Sequence, residues 1–198
     1  MTEQDYIARA RAGDENAFVP LVDAYQSAVY NLCYRMLGDA HEAEDAAQEA
    51  FLRAYAQLRR YDPARSFKTW LFSIASHYCI DLLRKRRLTW LSIDDEALPP
   101  HPALREPSPG PEETASRREQ SAAVHALLAR LAPEDRGAIV MRYWYDLSYE
   151  EIAEATGATV SSVKSRLHRA RGALAEMMTG APRQRAASLA LAAEGWKR

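Results

Sequence analysis

Six of the ten prolines in this 198-residue chain fall between positions 89 and 118: Pro99, Pro100, Pro102, Pro107, Pro109 and Pro111. Proline removes a backbone donor and is excluded from helix and sheet interiors. The same stretch is poor in large apolar side chains, so it cannot nucleate a core. It reads as a flexible linker that divides the chain in two. Fully extended, about thirty residues reach at most ~100 Å, enough to hold two domains well apart. The expected organisation is a first domain over 1–88, a linker over 89–118, a second domain over 119–178 and an extension over 179–198.

On either side of the linker the apolar residues repeat with helical spacing, and alternating strand patterns are missing. Thr2 with Asp5 opens a short helix that Gly13 closes. Phe18, Leu21, Val22, Tyr25, Val29, Leu32 and Met36 share one stripe, ended by Gly38. Asp39 with Glu42 makes a capping-box-like start for a third helix running to about Arg59, and Ser66 caps a fourth from Phe67 to about Arg87. Beyond the linker, Val124, Leu127, Leu128 and Leu131 mark one helix, Pro133 begins another, and Ser148 with Glu151 forms a capping box for a third. Gly137 falls inside the helix begun by Pro133, at a cost of ~1 kcal/mol relative to alanine. The fold class is all-α, two small bundles joined by the Pro-rich linker.

With 47% apolar residues the chain can fill a core, while 8 glycines and 2 cysteines exclude collagen-like and disulfide-dense classes. The longest apolar stretch, near 186–193, is well short of the ~20 residues of a membrane span. The acidic N-terminus has no apolar core of the signal-peptide type, so a cytoplasmic location is expected. The net charge of −1 is a sum of opposed blocks. Asp39, Glu42, Glu44, Asp45 and Glu49 form an acidic run; Arg84, Lys85, Arg86 and Arg87 are four consecutive cations; Lys164, Arg166, Arg169 and Arg171 oppose Glu176 alone. Such segregation predicts separate acidic and basic partner surfaces.

Placing residues at 100° per step sharpens these surfaces. In the third helix Ala43, Ala47, Ala50, Phe51, Ala54 and Leu58 form the core stripe, while Asp45, Gln48, Glu49 and Leu52 cluster opposite. Acids alone fit a solvated face, but a large apolar residue among them fits a docking patch. In the fourth helix Phe67, Trp70 and Tyr78 read as core, and Thr69, Ser73, Ser76, His77, Arg84 and Arg87 form a polar strip. Together with Arg59, Arg60, Tyr61 and Arg65 in the preceding loop, the cations and aromatics suit a single nucleic-acid strand. Residues 147–157 followed by 160–167 read as a helix-turn-helix: Ile152 anchors, Ala153 allows close approach, Gly157 turns, and Val163 and Leu167 pack. Ser161, Ser162, Lys164, Ser165, His168 and Arg169 face outward, short donors first and cations beyond, as major-groove entry requires.

These residues resemble the extracytoplasmic-function (ECF, group IV) sigma factors of bacterial RNA polymerase, in the sigma-70 family. The resemblance covers roughly 14–178 and rests on three ordered motifs: AEDAAQEAFL at 43–52, FKTWLFSIA at 67–75, and the helix-turn-helix at 147–171. It implies σ2 and σ4 domains joined by a flexible linker, and a protein that directs core polymerase to promoters without chemistry of its own. It assigns Asp45, Gln48, Glu49 and Leu52 to the clamp helices of the largest polymerase subunit. The flap is a further implied contact on the core enzyme. The loop at 59–66 and the helix after it would recognise and melt the −10 element, with an extruded base held by the loop. Arg59, Arg60, Tyr61, Arg65, Lys68, Thr69, Ser73, Ser76, His77, Arg84 and Arg87 are its candidate contacts. Ser161, Ser162, Lys164, Ser165, Arg166, His168 and Arg169 would read the −35 duplex. An anti-sigma factor is an implied partner. Relative to the family pattern, Ser73 and Ser76 stand where Arg is common and His77 where Asn is common, and Thr159 and Ser161 replace a frequent Pro and Gly.

Enzyme readings find little support. Cys33 and Cys79 lie in helical patterns and read as buried thiols. The five histidines form no metal-spaced cluster and there is no Gly-rich phosphate loop, so neither metal, cofactor nor small-molecule substrate is expected. The rival reading is a helix-turn-helix regulator with a helical N-terminal effector domain.

Overall fold

The structure, a computed structural model, describes residues 1–92 and 121–179, the side chains of 87–92 excepted. The expectations placed on 93–120 and 180–198 lie outside the described residues. The described residues are helical and contain no strand.

Local signals start and stop the helices where polar groups satisfy their ends. Helix α1 (Glu3–Arg11) opens on a reciprocal box: the Asp5 amide donates to Thr2 Oγ1 and the Thr2 amide to the Asp5 carboxylate. Helix α2 (Val19–Leu37) ends at Gly38, whose φ of +78° lets its N–H return to the Tyr34 carbonyl at 2.8 Å. Helix α3 (Ala40–Gln57) is capped by Asp39, which accepts from the Glu42 amide. Glu42 does not complete a box, because its carboxylate pairs with Arg86. A 3₁₀ turn at Leu58–Arg60 follows.

Helix α4 (Phe67–Ser92) runs past the expected end near Arg87, since no Gly or Pro interrupts the sequence before Pro99. Its first four linker positions, 89–92, are therefore helical. Helix α5 is described over 121–129; α6 (Pro133–Trp144), α7 (Tyr149–Thr156) and α8 (Val160–Thr179) complete the chain.

Helices α2, α3 and α4 pack together with α1 across one end, and α6, α7 and α8 form the second unit. The two units are not held apart: α6 lies against both α2 and α4, and α7 lies along α4. One continuous apolar cluster runs through both, from Ile7 and Leu21 through Phe72 and Ile80 to Val140, Ile152 and Leu167. Helix α6 joins them, because every residue from Asp135 to Met141 is buried. A helix covered on all sides needs apolar, small or internally paired residues all round. Gly137 supplies one such position: a Cβ there would sit 3.6 Å from Met36 Cε and 3.9 Å from Ile80 Cδ1. The residue that weakens α6 locally lets it approach the first unit closely.

The cysteines are buried, in α2 and α4, and lie side by side although far apart in sequence. A hydrogen bond with Cys33, together with burial, pushes the Cys79 thiol far above its ordinary pKa, so it is protonated and unreactive.

Candidate protein-docking and nucleic-acid interfaces

The outward side of α3 carries the predicted patch. Asp45 and Gln48 are exposed, Glu49 is half-buried, and Leu52 is 65% exposed between them. Leaving a leucine in water forgoes the free energy its burial would supply. Glu49 accepts from Arg53 Nε at 2.7 Å, and the Arg53 guanidinium lies 4.6 Å over the Tyr78 ring. That chain of contacts fixes one acid of the patch and fastens α3 to α4. A groove of about 700 Å³ between α2 and α3, walled by Val22, Tyr30, Tyr34 and Phe51, runs beside the patch and shares Gln48 with it.

The predicted strand-binding residues divide on inspection. Arg59 and Arg60 are exposed on the 3₁₀ turn, Arg65 and His77 are exposed, and Lys68 and Ser73 are half-buried. Tyr61 is not the expected stacking platform. Only 1% exposed, it donates from Oη to the Arg65 carbonyl at 2.5 Å and packs on Trp70 and Phe67 with ring centroids 4.8 and 5.6 Å away. It holds the 58–66 loop onto α4. Thr69 and Ser76 are shut away from solvent as well, which removes both from any strand-contacting face in this arrangement. Ser76 Oγ donates to the Ser73 carbonyl and Ser73 Oγ to the Trp70 carbonyl. Hydroxyls satisfied within their own helix are buried at little cost. Arg84 is exposed but held by Glu134 Oε1 at 2.5 Å, and the Arg87 side chain lies outside those described.

The helix-turn-helix forms as its spacing predicts. Ser148 and Glu151 make the box, with the Glu151 amide donating to Ser148 Oγ at 3.1 Å and the Ser148 amide to Glu151 Oε2 at 2.8 Å. Those Ser148 bonds hold the Glu151 carboxyl below its ordinary pKa, against the opposing effect of burial. Gly157, at φ +60°, closes α7, and Thr159 Oγ1 accepts from the Ser162 amide at 3.1 Å to cap α8. Thr159, where the family often has Pro, thus supplies a hydroxyl cap. Val163, Leu167 and Ala170 are buried beneath α8, while Ser161, Lys164, Ser165, His168 and Arg169 are exposed and Ser162 and Arg166 half-buried.

Arg169 is less free than the wheel implied. It binds Asp135 through Nη2 at 2.8 Å and Nε at 3.2 Å, and this partner, only 8% exposed, raises its pKa. The pair ties α8 to α6. Among the described residues Lys164 has no such carboxylate; its ammonium stands 5.9 Å over the Tyr149 ring.

Sequence reasoning missed the residues that join the two units. Arg136, 6% exposed, donates to the Met36 carbonyl at 2.5 Å and to the Ala129 carbonyl at 2.6 Å. One guanidinium therefore satisfies the C-terminal ends of α2 and α5, where helix carbonyls lack intrahelical donors. Burial, with the Arg86 charge, lowers its pKa to about 10, so it stays charged at neutral pH. Tyr145 Oη donates to the Ala28 carbonyl at 2.7 Å, and its ring meets Phe72 edge-on at 4.6 Å. The consecutive apolar residues Ala138, Ile139, Val140 and Met141 beside Gly137 were the available signal. Among the described residues no cluster of three or more metal-ligating side chains occurs, and no helix is long and apolar enough to cross a membrane.

Known proteins share this arrangement. The Sigma-70 region 2 model matches residues 21–89 and the Sigma-70 region 4 model residues 121–174. The ECF RNA polymerase sigma factor SigW of Bacillus subtilis (strain 168) is 38% identical over 176 residues, spanning 87% of this chain and 94% of SigW. The ECF RNA polymerase sigma-E factor of Escherichia coli (strain K12) is 34% identical over 179 residues, 88% of this chain and 93% of that protein. Among solved structures, CnrH in complex with the cytosolic domain of CnrY superposes with a TM-score of 0.67 at 25% identity, covering 90% of this chain and 97% of that one. With the N-terminal helices matched to region 2, an effector domain in a helix-turn-helix regulator is not favoured. The chain therefore belongs to the ECF sigma factors and is an RNA polymerase sigma factor of the sigma-70 family.

Proposed function

We propose that α3 docks on core RNA polymerase through Asp45, Gln48, Glu49 and Leu52, with the clamp helices of the largest subunit as its seat and the flap as a second contact. The observation that carries this reading is the exposed Leu52, ringed by two acids and an amide on the side of α3 turned away from the core. The exposed or half-buried members of the strand-binding set, Arg59, Arg60, Arg65, Lys68, Ser73, His77 and Arg84, would meet the melted −10 strand. Arg87 continues that line in the sequence. On α8, Ser161, Ser162, Lys164, Ser165, Arg166 and His168 would face the −35 duplex, with Arg169 braced by Asp135 at the edge of that surface. Residues 1–88 and 119–178 are the two working domains in this reading, 89–118 is the linker between them, and 179–198 is an extension of unassigned role. It places the protein in the cytoplasm, acting on transcription without chemistry of its own, under an anti-sigma factor. Two of the similar solved structures bear on that partner: CnrH with the cytosolic domain of CnrY, and a sigma factor RpoE with the anti-sigma factor NepR.

The reading of α8 is tested by Lys164→Ala. Lys164 is exposed and makes no salt bridge among the described residues, so its loss is expected to leave the fold intact. The variant is expected to bind duplex promoter DNA more weakly, with the slope of log K against log salt smaller by about one. An unchanged slope, measured by fluorescence anisotropy across salt concentrations, rules out a phosphate contact there.

A further inference from the structure

The groove between α2 and α3 is aromatic along its length and acidic at its rim. Tyr30 and Tyr34, one turn apart on α2, lie with parallel rings and centroids 6.1 Å apart, and Phe51 lines the groove from α3. All three are half-buried, so each leaves apolar surface in water that an occupant would cover. Glu44 lines the groove, exposed Asp45 follows it on α3, and among the described residues no cation contributes to the lining. Residues 180–198, outside the described residues, carry the complement. There Arg183, Arg185, Lys197 and Arg198 oppose Glu194 alone. Leu189, Ala193 and Trp196 fall at i, i+4 and i+7, the spacing of anchors that a helix lays into a groove. We propose that residues 180–198 of the same chain seat in the α2–α3 groove, with Leu189 and Trp196 on its aromatic wall and the flanking cations toward Glu44 and Asp45. Core RNA polymerase must then displace them to reach α3.

The competition with polymerase rests on the reading of α3 as the docking helix; the seat itself does not. The segment follows directly on α8, and its unit borders the groove, since the His125 ring of α5 meets Tyr34 at 4.3 Å. Nineteen residues reach up to ~60 Å when extended, more than the ~40 Å breadth of a globule of this size. A tethered segment faces its seat at an effective concentration of about 1 mM, so a contact of modest affinity stays filled. Attraction between exposed charges is weak and screened by salt, so the cations select the orientation while the apolar side chains hold the segment in place. The groove shares Gln48 with the docking patch, which places the occupant against the surface that core enzyme needs.

The test places a benzophenone photo-crosslinking residue at position 196 of the full chain and maps its products by mass spectrometry. Cross-links within one chain to the groove-lining peptides of α2 and α3 are expected. Their absence overturns the seat, and so do products that join two chains on a denaturing gel, which give the groove to a second copy. Titration with core enzyme reads the competition. Leu189→Asp combined with Trp196→Asp is expected to bind core about fivefold tighter than wild type, as follows when the groove is filled in about four of five free molecules. Ser27→Arg, exposed on α2, sets a cation into the groove beside its acidic rim and is expected to match that gain, with circular dichroism unchanged. Adding it to the tail variant is expected to give nothing further, since each change empties the same seat. Wild-type core affinity in both variants, with the cross-links present, overturns the competition. Leu52→Glu tests the reading beneath it. Wild-type core affinity in that variant removes α3 as the docking helix and the competition with it, whereas the cross-links report the seat alone.

Discussion

Leu52→Glu is expected to lower the affinity for core RNA polymerase roughly thirtyfold or more, the equivalent of about 2 kcal/mol for a central apolar contact. Leu52 is 65% exposed and gives the first unit little packing, so circular dichroism and melting temperature should stay at their wild-type values. In the docked state the introduced carboxylate would be desolvated in a seat built for an aliphatic side chain, with Asp45 and Glu49 close by on the same face of α3. Asp45→Arg reverses an exposed charge on the same patch and is expected to weaken docking as well. Titration of labelled protein with core enzyme reads both variants, and duplex DNA binding through α8 serves as the internal control, since it should not change. Wild-type core affinity in both variants would remove α3 as the docking helix.

The second large effect is on stability. Phe72→Ala is expected to cost about 3–5 kcal/mol in urea unfolding, a large share of the ~5–15 kcal/mol that holds a domain folded. Phe72 is fully buried, its ring meets Tyr145 of the second unit, and the Lys68 ammonium lies 5.7 Å from it. Truncation therefore empties part of the first unit's core and removes the surface on which Tyr145 rests. Phe72→Leu, which keeps most of the volume, should cost well under half as much. A Phe72→Ala loss below about 1 kcal/mol would mean that this side chain carries little of the core.

Much of the fold was legible in the sequence because its signals are local. Capping pairs such as Thr2 with Asp5 and Ser148 with Glu151, and left-handed glycines such as Gly38 and Gly157, set helix ends within a few residues. The α3 face was legible for the same reason: a period of 3.6 separates Asp45, Gln48, Glu49 and Leu52 from the alanine stripe without knowledge of the partner.

What could not be read was contact between units separated by the linker. A wheel shows Thr69 and Ser76 on a polar strip, but not whether that strip meets water or another helix, and hydroxyls bonded to their own helix are cheap to bury. Tyr61 misled in the same way, since cations beside an aromatic describe both a stacking platform and a loop pinned to a core. Glu42, placed for a capping box, was drawn to Arg86 some forty-four positions away. Arg169, outward on the wheel, met Asp135 from α6. The one sequence-level trace of the closed arrangement was an apparent flaw: Gly137 lowers helix propensity, and the four apolar residues after it, Ala138, Ile139, Val140 and Met141, point to every side of the helix, a pattern that fits an enclosed helix.

The most direct measurement is run-off transcription with purified core RNA polymerase on genomic fragments from the protein's own host. The account predicts transcripts with defined start sites that appear only when the wild-type protein is added, together with a stable complex with core on gel filtration. No promoter-specific transcript above core enzyme alone, and no such complex, would contradict it.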